Sequence, residues 1–113
     1  MRTDLAAWQW QGYPTFHQRR STLLIHAVAV PSFVVASVAL VWCVATFRWM
    51  EAVACALAMV LAFAAQAIAH KREADPPIPF EGASDIVTRI FLEQFFTFPR
   101  FVLSGGWWRA LRR

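Results

Sequence analysis

Three histidines are the side chains of this sequence best suited to chemistry. His17 and His26 stand nine positions apart across an Arg-Arg pair in YPTFHQRRSTLLIHAVAVP, and His70 closes the apolar run that ends QAIAHKREADPP. Imidazole ligates metals and carries protons near neutral pH. Gln66 and Glu73 lie four before and three after His70, so on a continuing helix the three make one polar stripe. Three histidines are too few for the histidine-rich diiron site of membrane desaturases, but they suffice for one mononuclear metal. The plainer reading has each histidine hydrogen-bonding across a hairpin or meeting water at a headgroup layer.

The elements that must position them are apolar and long. The chain has 113 residues, 58% of them hydrophobic, enough for one small domain spanning 1–113. Over residues 23–47 the only ionisable side chains are His26 and Cys43, and a helix of that length reaches ~37 Å, enough for a bilayer. The run over residues 52–69 holds only Gln66 as a strongly polar residue. The expected fold is all-α: a membrane hairpin of two transmembrane helices, 23–47 and 50–70, between interfacial amphipathic segments at 1–22 and 84–111. A secretory leader does not fit the first run, because no short apolar core leads to a small-residue cleavage site.

The surplus of charge, formally +4, reads as topology. Arg2, Arg19 and Arg20 precede the first run, Arg48 alone lies between the runs, and Lys71, Arg72, Arg89, Arg100, Arg109, Arg112 and Arg113 follow. The positive-inside rule then places both ends in the cytoplasm and the Arg48 turn outside, in a bacterial inner membrane or, in a eukaryote, the endoplasmic reticulum. Membrane lipids are the expected partners of this basic surface, and nucleic acid is not. Two cysteines make no disulfide framework; Cys43 and Cys55 read as small buried residues. Gly105 and Gly106 precede a Trp pair and no strand, so they form no phosphate loop.

Finer expectations concern the joints. Ala54, Ala58, Ala62, Ala65 and Ala69 make a smooth helical face for close packing of the second span on the first. Pro14 opens an early helix and Ser21 or Thr22 caps the next. DPPIPFEG stops the second span, and Ser84 or Asp85 caps a helix whose apolar face is Ile86, Ile90, Phe91 and Phe95, with Arg89 and Glu93 as an i,i+4 pair. The tail's tryptophans and arginines are interfacial anchors, and KREADPP is a solvated helix end.

Reflecting the hairpin about its turn near Arg48 and Trp49 puts His26 opposite residue 71, one step from His70. Helices of equal rise therefore bring His26 and His70 to one depth near the cytoplasmic boundary. His17 does not fit one straight helix with His26, from which it would stand ~13.5 Å away on the opposite side. If both bind one metal, the backbone breaks between them.

The spacing of Tyr13, His17, His26 and Pro31, Tyr-x3-His-x8-His-x4-Pro, resembles the start of the fungal 2-hydroxy fatty acid dioxygenase family, which has small bacterial relatives in membranes. Gln66-x3-His70 followed by Glu73 is similar to that family's second histidine segment, and Pro99, Phe101 and Val102 look like its late Pro-x-Phe-Val. Thr22 stands where the fungal motif has Asn, Ala69 replaces a Gly, and Glu73 comes one residue early. The resemblance implies an Fe(II)-dependent dioxygenase that shortens a long-chain 2-hydroxy fatty acid by one carbon. It implies His17, His26 and His70 as the non-haem iron ligands. Beside these, Glu73 is the alternative ligand to His17, Gln66 and Tyr13 are candidate supporting residues, and Arg19, Lys71 or Arg100 could neutralise the substrate carboxylate, although solvated interfacial anchors are the plainer reading of all three. Two readings compete with it. One is a non-catalytic membrane subunit or assembly factor, since two spans bury little and invite a homo-oligomer or a larger partner; the other is a haem-binding hairpin with His26 and His70 as axial ligands.

Overall fold

The computed structural model describes residues 4–113, all of whose regular structure is helical. Arg2, among the basic residues used for topology, lies outside them. The order is α1 (Leu5–Phe16), α2 (Arg20–Ala45), α3 (Trp49–Lys71), α4 (Ala83–Leu92), a π-helical segment (Glu93–Thr97), α5 (Phe98–Leu103) and α6 (Gly106–Leu111).

α2 and α3 form a long hairpin, closed by a tight turn in which Phe47 takes φ 60° and the Arg48 N–H returns to the Cys43 carbonyl at 2.7 Å. Both helices are long and apolar enough to cross a membrane. Their burial is inverted relative to a water-soluble bundle. Thr22, His26, Ser37 and Gln66 are buried, whereas Val28, Val41 and Leu61 are each about 70% exposed. A helix inside a soluble core hides most of its apolar surface; these show most of theirs to the surroundings.

The alanine face expected on α3 is corrected. Ala62 and Ala69 are buried, but Ala54 and Ala58 are exposed, and the buried track instead runs through Ala52, Ala62, Gln66 and Ala69. Gln66 sets this rotation, because its amide exchanges two 2.9 Å hydrogen bonds with the amide of Gln94 and must face inward to do so.

The C-terminal layer is also turned over relative to expectation. Asp85, Arg89, Gln94 and Thr97 point inward, while Ile86, Phe91 and Phe95 are 40–45% exposed. Arg89 pairs with Asp85 at 3.3 Å and donates to the carbonyls of Ile78 and Pro79, so the expected Arg89–Glu93 pair gives way to a clamp on the proline-rich strap. Gly82 precedes α4 with φ 146°, and Asp85 accepts the Glu81 N–H at 2.9 Å from within the first turn rather than as the cap residue.

A compact core locks this layer to the hairpin: Tyr13, Leu23, Val30, Phe98, Phe101, Trp107 and Ala110. Trp107, expected as a surface anchor, is buried and donates its indole N–H to the Leu23 carbonyl at 2.9 Å; Trp108 stays half-exposed. Gly106 is required here, since a Cβ would stand 2.5 Å from the Phe101 ring. Pro14 does not open α1 but lies in its last turn.

Candidate metal centre

His17 is the first residue past α1, His26 lies in the second turn of α2, His70 in the last turn of α3, and Glu93 opens the π-helical segment. One ligand atom from each falls within 4.8 Å of all the others, so this group can hold a metal ion.

The break between His17 and His26 is what makes convergence feasible. The N-terminus of α2 has no cap from its own side chains. Glu73 supplies one from across the hairpin: its carboxylate accepts the N–H groups of Gln18 and Arg19, each at 2.9 Å, and the hydroxyl of Thr22. A carboxylate at a helix N-terminus meets both orphan donors and the positive end of the helix dipole. Burial pushes the Glu73 carboxyl up, but these three donors outweigh it and hold it below the usual carboxylate range. Glu73 is thus buried, not part of a solvated helix end, and its oxygens are engaged away from the histidine cluster. Neither Ser21 nor Thr22 is the cap residue; Thr22 contributes from inside the first turn.

Tautomers follow from hydrogen bonding. His17 Nδ1 lies 2.8 Å from the Tyr13 carbonyl and His26 Nδ1 lies 2.9 Å from the Thr22 carbonyl. A carbonyl only accepts, so both Nδ1 atoms donate, which leaves the two Nε2 atoms as the candidate ligand atoms. Those two Nε2 atoms, and Nδ1 of His70, are buried and have no hydrogen-bond partner among the described residues. Burial pushes the His17 imidazole below its ordinary range, against the pull of Glu93.

Glu93 Oε2 stands 3.3 Å from His17 Nε2 and 3.4 Å from His26 Nε2, and accepts the Tyr13 hydroxyl at 2.7 Å. Burial opposes ionisation of this carboxyl, but the hydrogen-bonding groups and charge of His17 and His26 prevail and hold it well below the usual carboxylate range. Beside it the Tyr13 phenol is pushed up by burial and by the Glu93 charge, so it remains a donor. One carboxylate therefore stands among three imidazole rings. A partly buried anion in that setting is well matched to a cation.

The rings have the geometry of a ligand face. Their centres are 4.6, 4.8 and 4.9 Å apart and their planes are nearly mutually perpendicular, at 86–90°. A metal about 2.1 Å from each nitrogen would separate ring centres by about 4.6 Å at right angles and about 5.3 Å at tetrahedral angles. The observed spacings fall in that interval. Tyr13 stacks on His17 at 3.8 Å, and Phe98 and Phe101 wall the cluster.

Two cavities of about 350 and 290 Å³ flank the centre and share Gln9, His70, Pro77, Ile78, Arg89 and Glu93. Of the other residues singled out in the sequence, Tyr13 touches the centre directly, whereas Gln66 is engaged with Gln94. Lys71 is exposed at the edge of the smaller cavity, Arg19 donates to the Arg72 carbonyl, and Arg100 lies over the Trp10 ring at 4.1 Å. Cys43 and Cys55 are both free thiols. Glu93 is the candidate ligand that sequence reasoning missed; its one signal was a carboxylate inside the aromatic stretch FLEQFFTF. No protein-family model, curated protein or solved structure matches this chain.

Proposed function

We propose that the chain is a membrane-embedded, Fe(II)-dependent dioxygenase that shortens long-chain 2-hydroxy fatty acids by one carbon. The observation that carries this reading is the set of three converging imidazoles, each with an unpartnered buried nitrogen, and one carboxylate at the end of two helices of membrane-spanning length. A ferrous ion held there would supply Lewis acidity toward a chelating 2-hydroxy carboxylate and redox chemistry toward O2. The protein's own part is positional. The Tyr13 and Thr22 carbonyls orient two rings, the Tyr13 hydroxyl holds Glu93, and the adjoining cavities admit a substrate head beside His70.

The hairpin lies in lipid with both termini cytoplasmic and Arg48 outside, which puts the centre at the cytoplasmic boundary, where an amphiphile presents its head. Haem fits less well. Two axial imidazoles on opposite sides of one iron would have ring centres about 6.5 Å apart, against 4.9 Å for His26 and His70, and His17 stands within contact of both.

The test is anaerobic purification, iron loading and incubation with O2 and a long-chain 2-hydroxy fatty acid. The expected product is the acid one carbon shorter, with His17→Ala, His26→Ala and His70→Ala each losing bound iron and turnover. Full turnover by all three variants, or iron-free wild-type protein without activity, would overturn the reading in favour of a non-catalytic membrane subunit.

A further inference from the structure

We propose that the smaller cavity, between α3 and α4, holds the alkyl chain of the substrate, which enters sideways from lipid. This rests on the 2-hydroxy fatty acid reading above.

Phe63, Gln66, Ala67 and His70 line the cavity from α3 at i, i+3, i+4 and i+7. That face runs back from the metal-ligand end toward the middle of the helix for ~10.5 Å. Ile90 of α4 and Phe80 of the strap form the opposite wall. α3 and α4 are not among the closely packed helix pairs, so a cleft remains between them.

Apart from Lys71, which is exposed at the edge near His70, and the cluster residues His70 and Glu93, the polar side chains along this cleft are already engaged. The Gln66 amide is tied to Gln94, Gln9 donates to the Arg89 carbonyl and accepts from Thr97, and Arg89 is held by Asp85 and two strap carbonyls. Away from His70 and Glu93 the walls therefore offer a ligand contact surface rather than hydrogen bonds, which suits an unbranched hydrocarbon. Ile78 and Phe80, which line the cavity from the strap, are apolar and themselves exposed to the surroundings. An alkyl chain can thus reach the centre from the side along apolar side chains. The larger cavity differs: it lies along α1, with the exposed Gln11 on its rim.

The experiment titrates cobalt(II)-loaded protein in lipid nanodiscs and follows the cobalt absorption bands. Two acids with the same chelating head, 2-hydroxyhexadecanoate and 2-hydroxybutanoate, are compared on wild-type protein and Ala67→Trp. The expected result is at least a tenfold loss of affinity for the long acid and less than a twofold change for the short one. Unchanged long-chain affinity, or equal loss for both acids, would overturn the assignment. A 2-hydroxy acid with a mid-chain diazirine tests it on wild-type protein: cross-links should fall in α3 and α4, and cross-links confined to α1 would overturn it. Should neither acid perturb the wild-type spectrum, the 2-hydroxy-acid reading itself fails and this inference falls with it.

Discussion

Glu93 concentrates the residue-scale argument, because one of its oxygens meets Tyr13, His17 and His26 at once. Glu93→Gln keeps an oxygen for the Tyr13 hydroxyl but removes the charge, so the expected outcome is a folded protein whose metal affinity falls by at least 10-fold, read by metal competition. Tyr13→Phe leaves the His17 carbonyl contact intact and frees the Glu93 oxygen; a 10- to 100-fold loss of affinity is expected on the same assay, the range for partners that orient ligands. The approach of His26 to His70 could be deduced from the sequence because equal helical rise on either side of one turn fixes depth. Glu93 could not be deduced that way. Arg89, four residues earlier, offered a local partner, and only the folded strap shows that this arginine is taken by Asp85 and backbone carbonyls.

At the scale of elements, the joint between α1 and α2 depends on a carboxylate from another part of the chain. Glu73→Ala leaves the N–H groups of Gln18 and Arg19 without their acceptor and is expected to cost about 1–2 kcal/mol, as loss of a helix cap does. The folded carboxyl is held below its ordinary value of 4.5, so its contribution is complete above that pH and disappears as pH falls through the depressed value. The stability gap between wild type and Glu73→Ala, measured by denaturant unfolding in detergent, should therefore be full at pH 7 and narrow in acid below 4.5. A break between His17 and His26 was readable, since one straight helix cannot aim both at one point. The group that enforces it was not, because its partners lie more than fifty positions away. The π-helical segment was equally hidden: FLEQFFTF satisfies ordinary helical spacing, and the widened turn exists where Glu93 and Gln94 must both face inward.

For the whole molecule, two long apolar helices and an all-α fold were legible from the hydropathy of the runs, while the rotation of each helix was not. In lipid, the setting proposed for this hairpin, an apolar face gains nothing by turning inward, so scattered polar groups such as Gln66, Gln94 and Thr97 would decide which side is buried. Gln66→Leu with Gln94→Leu should accordingly keep helical content by circular dichroism yet loosen the C-terminal layer, seen as faster amide exchange over α4. Cysteines placed at positions 48 and 72 should label from opposite sides of the membrane; labelling from one side would contradict the proposed topology. The position of Glu93 along the chain has a consequence for biosynthesis. His17, His26 and His70 all leave the ribosome before it, and both long helices separate the first ligand from the last. A cation bound at this group would thus be enclosed only once the hairpin is built and the C-terminal layer has folded back over it, so metal capture would be a late step of maturation.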